Sequence, residues 1–475
     1  MQSSVDVLII GAGPCGLGVA WRIGQLRRSG ATQASFLVVD AGKHVGGSAA
    51  SVTTEEGFTF DYGGHILYPH EKYETFATLL TELVTDWHDS TPVRGVWMDG
   101  RLIPYPVQQN IHRLTSTKML VSLAGLFQTG FARAIHGNGC AMGADLHGYL
   151  RARFGAGLTN TVLGPLNRKM WATELRSIDN CWTAQRSGSS TQNVAGSDIR
   201  KILRSMITRR DNVGWAKTAR VRYPLRGGSG LIWSNLAKRL GPDSLLLDSR
   251  VIEIDAPRRI ARLANGHRVR YRSMVSTMPL DALMRALGSR YASSPLLPKL
   301  VYAQAYFVGF GLGGEQPPVL RDVHSFHIPQ NDIPCWRVNV PSNFSPGNVP
   351  SRDHWSLMCE ISRPRGDRFD LEAASDTIGR RLLALGLLPR RAHIVSRWQA
   401  QMRHGYPVPF LGRDAVLEQV QAELHEVGIL SRGRFGGWKY EVSNQDHTFM
   451  QGVEAADYLL LDRPELTYPF PEKIN

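Results

Sequence analysis

Gly11-Ala-Gly13-Pro-Cys-Gly16 comes directly after the aliphatic run Val5 to Ile10, and Leu17, Ala20, Trp21 and Ile23 continue on helical spacing. A buried strand, a glycine turn and a helix in that order suit a pyrophosphate. Gly11 permits the tight turn, Gly13 lets the backbone approach the phosphates, Gly16 allows close helix packing, and the helix N-terminus faces the negative charge. A second short strand, Phe36 to Val39, ends in Asp40, placed to accept hydrogen bonds from an adenosine ribose. Far along the chain the run Ser431 to Asp457, SRGRFGGWKYEVSNQDHTFMQGVEAAD, reads as a second cofactor-contacting segment. A nucleotide-binding unit finished from its C-terminal end implies a large protein with other domains inserted into it.

The elements that must position these groups show two textures between the ends. From about Leu114 to Arg209 the pattern is helical: Asp145 caps a helix whose Leu146, Tyr149, Leu150 and Phe154 line one face. From about Leu300 to Arg397, short alternating runs such as Val301 to Val308 and Trp355 to Ile361 stand between Pro, Gly, Asn and Asp clusters and predict antiparallel sheet. At 475 residues the chain is too long for one core, and about three domains are expected. The fold class is α/β: a Rossmann-like dinucleotide-binding domain over residues 1–88, 210–285 and 405–475, an inserted helical domain over 112–209, and an inserted antiparallel β-sheet, substrate-binding domain over 89–111 and 286–404.

Composition narrows the partners. Hydrophobic residues at 43% and charged ones at 20%, with no low-complexity tract, describe a chain that folds throughout. A net charge of +14 would suit nucleic acid, but no helix-turn-helix, zinc-ligand or RNA-binding signature accompanies it, and small anionic ligands are the expected partners. Part of the excess, Arg258, Arg259, Arg262, Arg268, Arg270 and Arg272, flanks Asn265-Gly266, where Val269 and Tyr271 alternate with the arginines as in a hairpin with one solvated face. Cys15, Cys140, Cys181, Cys335 and Cys359 form no CxxC pair, so neither a disulfide framework nor a zinc site is predicted, and a reducing cytoplasm is the expected compartment. No membrane span or targeting segment is read, because Val5 to Ile10 is too short to cross a bilayer and runs straight into the glycine motif.

The residues after Asp40 separate flavin from nicotinamide. Gly46-Gly47 and Gly57-Phe-Thr-Phe-Asp61-Tyr-Gly63-Gly64-His65 resemble the segments with which flavoproteins of the amine-oxidase and sugar-mutase superfamily surround the FAD ribityl chain and ring. A tricyclic ring needs backbone close to its face, and glycine pairs supply that approach. Further segments resemble the UDP-galactopyranose mutases, notably their eukaryotic-type branch: Ile103-Pro-Tyr105-Pro-Val107-Gln108-Gln-Asn110, Gly164-Pro-Leu-Asn167-Arg-Lys-Met-Trp171-Ala, Arg222-Tyr-Pro-Leu-Arg-Gly-Gly-Ser-Gly230 and Cys335-Trp-Arg337-Val-Asn-Val-Pro-Ser-Asn343-Phe-Ser-Pro346. His404-Gly-Tyr406-Pro-Val-Pro409 and the C-terminal run match the same family, so the resemblance covers nearly the whole chain in order.

The resemblance implies a redox-neutral isomerase that interconverts pyranose and furanose forms of a nucleotide-diphosphate hexose, with reduced FAD as the nucleophile toward the anomeric carbon. NAD(P)H or another reductant is then expected as a partner, and an oligomer is compatible with it. By their places in the matching motifs, Arg186 and Arg337 form the diphosphate clamp, Tyr406 and Tyr440 donate to the same group, Asn167 and Trp171 face the sugar, and His65, Arg434, Asn444 and Gln445 lie on the flavin side. The helix that starts near Asp446 points its positive end at the reduced flavin. Tyr105 and Gln108 belong to the base pocket, but Val107 stands where the family carries an aromatic stacking residue, and His327 stands where the eukaryotic-type enzymes place a tyrosine. This loss of bulk leads to the expectation of a purine carrier, a GDP-hexose, in place of a UDP-galactose-like substrate. Ser48 and Ala50 replace residues the family keeps beside Gly47, which puts the firmness of FAD binding in question. An imidazole at His327 beside a diphosphate would also allow a divalent metal, although no clustered carboxylate and histidine set accompanies it. The competing readings are a flavin-dependent oxidase or desaturase of the amine-oxidase superfamily, a metal-assisted mutase with little dependence on flavin, and a nucleotide-sugar-binding protein without catalysis.

Overall fold

The computed structural model describes residues 2–65, 67, 72–136, 145–185, 199–213, 220–390 and 393–475. Strand Gln2–Ile10 lies inside a seven-stranded sheet, parallel to Phe36–Val39 on one side and to Arg268–Ser276 on the other. Ile429–Ser431 pairs in parallel with the end of Arg268–Ser276, so both ends of the chain enter one sheet. The expected hairpin closes at Asn265-Gly266 between Ile260–Leu263 and Arg268–Ser276. Helices Pro14–Arg28 and Gln445–Leu461 cover this sheet and cross at glycines: a Cβ on Gly452 would overlap the Cys15 carbonyl oxygen, and one on Gly18 would press on Phe449.

A second seven-stranded sheet runs, in spatial order, His393–Pro407, Tyr302–Gly313, His354–Pro364, Arg337–Asn339, Val323–His327, Val93–Met98 and Arg101–Pro104. Its pairings are antiparallel, as the alternating runs predict, except that Val323–His327 and Val93–Met98 run parallel. Those two strands come from distant parts of the chain, and no hairpin constrains their direction. Helix Leu371–Ala384 packs Ala374, Ile378 and Leu382 against Val308, Phe310 and Trp355 on one face. The other face carries Ala303, Ala305 and Phe307 into a core shared with Phe58, Phe60 and the helical region. Each large side chain buried there contributes roughly 1.5–3 kcal/mol.

The helical region is built from Ser116–His136, Leu146–Leu158, Gly164–Trp171, Cys181–Gln185 and Ile199–Thr208. Asp145 caps the second of these, its carboxylate accepting from the Gly148 N–H at 2.8 Å, and Leu146, Tyr149, Leu150 and Phe154 are buried. Lys169 ties this region to the second sheet: its Nζ lies 2.9, 2.8, 2.9 and 2.6 Å from the carbonyl oxygens of Ile328, Gln330, Ile333 and Cys335, which share its three N–H groups. Cys15, Cys181, Cys335 and Cys359 are free thiols, and Cys140 lies outside the described residues. Among the described residues no helix is long and apolar enough to cross a membrane.

Candidate active site

Residues from both sheets line a cavity of about 1200 Å³, above the roughly 300–1,000 Å³ usual for a single small ligand. Gly11, Gly13, Asp40 and Gly47 form one end. Gly11 has φ +103°, and a Cβ there would overlap the Thr277 hydroxyl, while a Cβ on Gly16 would overlap the Gly11 carbonyl oxygen. Gly16 therefore serves helix packing behind the wall. A Cβ on Gly13 would meet only the Gly46 carbonyl oxygen, at 3.9 Å, so the face of the turn toward the cavity is open. Asp40 is aimed by backbone, its two oxygens accepting from the N–H groups of Ala12 and Gly42, each at 2.6 Å. The Gly46 N–H is held by the Ala12 carbonyl at 2.8 Å, one place behind Gly47. Pro14 and Cys15 from one helix start, and Asn444 to Thr448 from another, open onto the same space. Two positive helix ends thus converge on it.

Gly63, Gly64 and His65 line the middle. His65 Nε2 lies 2.9 Å from the Ser48 carbonyl oxygen, an acceptor only, so that nitrogen carries the proton. Burial lowers the imidazole pKa against the pull of Asp61. Asp61 itself is buried, which raises its pKa, and accepts from Ser51 Oγ, Tyr223 Oη and Ser229 N at 2.5, 2.8 and 3.1 Å. Beyond the turn stand two arginines and two tyrosines. The Arg434 guanidinium lies 5.2 Å from the Tyr406 ring and 5.6 Å from that of Tyr440, held by the Gly405 carbonyl and Ser443 Oγ at 3.1 and 2.9 Å. Arg337 lies 4.6 Å over Trp336. Burial alone would lower its pKa, and the Glu360 carboxylate outweighs burial and holds it above its ordinary value.

Residues 9–83 match the NAD(P)-binding Rossmann-like domain family. Across the whole chain, a solved structure of reduced UDP-galactopyranose mutase superposes with a TM-score of 0.90 at 34% identity, covering 99% of this chain and 97% of that one. This chain belongs to the UDP-galactopyranose mutase family. It is an enzyme of the isomerase type. The fold alone is shared with a putative protoporphyrinogen oxidase from Exiguobacterium sp. 255-15, at 17% identity and a TM-score of 0.72 over 98% of this chain and 100% of that one. A putrescine oxidase, at 17% identity and a TM-score of 0.62 over the same shares, has it too.

In this UDP-galactopyranose mutase family member, the residues named from sequence divide into those on the cavity and those behind it. His65, Arg337, Tyr406, Tyr440, Arg434, Asn444, Gln445, Tyr105 and His327 all line it. Gln445 also accepts from Trp233 Nε1 at 2.7 Å, which fixes the helix start. His327 stacks on Trp336, with ring centroids 5.7 Å apart and planes 13° from parallel. Burial, and after it Arg337 and Arg94, lower its pKa to about 3. Its Nδ1 meets no hydrogen-bond partner among the described residues. Asn167 and Trp171, expected at the sugar, are not among the residues that line the cavity. Asn167 Nδ2 donates to the Leu163 carbonyl at 2.8 Å on its own helix, and Trp171 is fully buried edge-on to Tyr440 at 4.9 Å, while Trp182 reaches the cavity instead. Val107 and Gln108 are each 1% exposed in the turn after Tyr105 and also lie behind the lining. Arg186 lies outside the described residues.

Sequence reasoning missed Glu360. The residue is 1% exposed and pairs with Arg337 across the second sheet. It accepts from Arg337 Nε and Nη2 at 2.9 and 2.7 Å, Asn339 Nδ2 at 2.6 Å, the Gly64 N–H at 3.0 Å and the Tyr406 hydroxyl at 3.2 Å. The available signal was a lone carboxylate in the apolar run Trp355 to Ile361, since a charge in a buried strand must be paired. An FAD fits the groups present: an open glycine turn, an aimed aspartate, two helix ends and a glycine pair. Among the described residues no three His, Cys, Asp or Glu side chains are gathered to hold a metal ion.

Proposed function

We propose that this enzyme interconverts the pyranose and furanose forms of a nucleotide-diphosphate hexose without net redox change, with FAD in the cavity. The observation that carries this reading is that the glycine fingerprint shares one cavity with Arg337, Arg434, Tyr406 and Tyr440. FAD bound in its reduced form supplies the nucleophile for the anomeric carbon. Gly13 and Asp40 would hold its pyrophosphate and ribose, the Gly63-Gly64 backbone would leave room for its ring, and the helix start at Asn444 and Gln445 would favour negative charge there. Arg337, joined by Arg186 in the family's pattern, grips the departing diphosphate as a planar cation that stays ionised. Arg434 orients the two tyrosine rings whose hydroxyls serve the same group. Donors fixed in advance where charge develops lower the barrier, and removal of one typically costs roughly 10²-fold or more in turnover.

Dithionite-reduced protein incubated with UDP- and GDP-hexoses tests the reading, with ring forms followed by chromatography and NMR. Conversion of none of them defeats it, and net oxidation with hydrogen peroxide release supports the oxidase reading in its place. The base end further supports a purine carrier. Its wall offers the planar groups of Tyr105, His327 and Trp336. GDP is therefore expected to bind more tightly than UDP in calorimetry, and equal or tighter binding of UDP refutes it.

A further inference from the structure

Glu360 lies behind the cavity while its donors lie on it. Gly64, Arg337, Asn339 and Tyr406 all line the space, and the Glu360 side chain is only 2% exposed. An ionised carboxylate offers about four lone-pair sites, and these four residues direct five hydrogen bonds at them, three to Oε1 and two to Oε2. Glu360 therefore has no lone pair to spare as a base or nucleophile. The hydrogen count at Tyr406 is tighter still. A phenol carries one O–H, and in this structure it points at Glu360 Oε2. The same hydroxyl cannot donate to a diphosphate at the same time. Arg337 likewise commits Nε and Nη2, one edge of its fork, to the carboxylate. A carboxylate and a phosphate ask for the same donors in the same planar geometry.

We infer that Glu360 is a positioning residue that acts as a built-in anion: it holds Arg337, Tyr406 and the Gly64 turn in the arrangement a diphosphate will use, and competes with the incoming diphosphate for the Tyr406 hydroxyl. This rests on the proposed function, in which a diphosphate occupies the clamp. Substrate entry then draws the Tyr406 proton from Glu360 toward a phosphate oxygen, and departure of the ligand returns it. The negative charge opposes ligand affinity while keeping the donors aimed, so affinity and turnover respond to its removal in opposite directions. A residue that only stabilised the fold would lower both.

The test uses Glu360→Gln, which keeps the shape and removes the charge, together with Glu360→Asp and Tyr406→Phe. Binding of UDP and of GDP is measured by calorimetry on the flavin-loaded protein, and turnover with the hexose that the wild type converts. Glu360→Gln is expected to bind the better nucleotide about tenfold more tightly and to lose about 10²-fold in kcat, since a displacement near 1 Å is enough for that. Glu360→Asp retains wild-type affinity within about threefold, because the charge remains. Tyr406→Phe, which leaves Glu360 in place and tests the shared hydroxyl independently, is expected to bind about tenfold more weakly. Weaker binding in Glu360→Gln, or unchanged binding in Tyr406→Phe, overturns the inference. A wild-type protein that converts no hexose while both affinities shift as stated overturns the mutase reading and leaves the role of Glu360 standing.

Discussion

Gly64 has no side chain for a steric reason that lies on another strand. A Cβ there would sit 2.5 Å from Asn339 Oδ1 and 3.3 Å from Arg337 Cζ, inside the group of donors around Glu360. Gly64→Ala is accordingly expected to retain the fold and lose at least about tenfold in affinity for UDP and GDP, because Arg337 must give way; calorimetry showing wild-type affinity contradicts this. His324 contributes to the pH dependence of stability in acid, as the buried His327 does. The Nδ1 of His324 lies 3.2 Å from both the Val93 amide nitrogen and the Asp322 carbonyl oxygen, and its Nε2 lies 3.1 Å from Ser90 Oγ. Burial lowers its pKa from 6.5 to about 4. The unfolded chain thus binds a proton there more readily than the folded one, and the stability tied to the neutral ring is present above about pH 6.5 and lost as the pH falls toward 4. Urea midpoints measured from pH 7 to pH 4.5 should fall for the wild type and fall less for His324→Asn, whose side-chain oxygen can still accept from Val93. Equal slopes refute the assignment. Arg337, Tyr406 and His65 were named from the sequence because each sits in a run of neighbours with its own pattern, and all three line the cavity. Glu360 was not, since its partners at Gly64, Asn339 and Tyr406 are brought together only by strand register and a distant turn.

At the scale of elements, the loop that leads into Arg337 is held from outside its own sheet. Lys169 Nζ serves four carbonyls between Ile328 and Cys335, and without the ammonium they face a largely buried space with no donor. Lys169→Met should lower stability by about 3 kcal/mol, the scale of a lost charged hydrogen-bond set, and should also weaken nucleotide binding through the loop. A change in urea midpoint that is negligible would show that water replaces the ammonium. Several elements are legible in the sequence alone: the strands at Gln2–Ile10 and Phe36–Val39 from their aliphatic runs, the capped helix from Asp145, and the hairpin from Asn265-Gly266. Each depends on neighbours within a few positions. The parallel pairing of Val93–Met98 with Val323–His327 was not legible, because the side chains of an alternating strand state which face is buried and not which partner lies beside it.

At the scale of the molecule, the cofactor end is assembled from helices at opposite ends of the chain, crossing where Gly18 and Gly452 leave room. Gly452→Leu is expected to push them apart and to reduce the flavin recovered with the purified protein severalfold, with far-UV circular dichroism preserved; full flavin content in that variant would mean that the crossing does not set the site. That the run from Ser431 onward completes the nucleotide-binding unit was readable from its distance to Gly11, whereas the helix crossing itself was not, since a lone glycine within a helical pattern has many uses. The same crossing sets an order of events in the cell. On the ribosome, the strand Arg268–Ser276 is made long before its neighbour Ile429–Ser431, and the fingerprint helix long before the helix it must meet. Until the last segment emerges, part of a central strand edge stays open to pairing with other chains. Under the proposed function, flavin uptake is consequently a late event, and the interval before it is when a newly made chain is most exposed to aggregation.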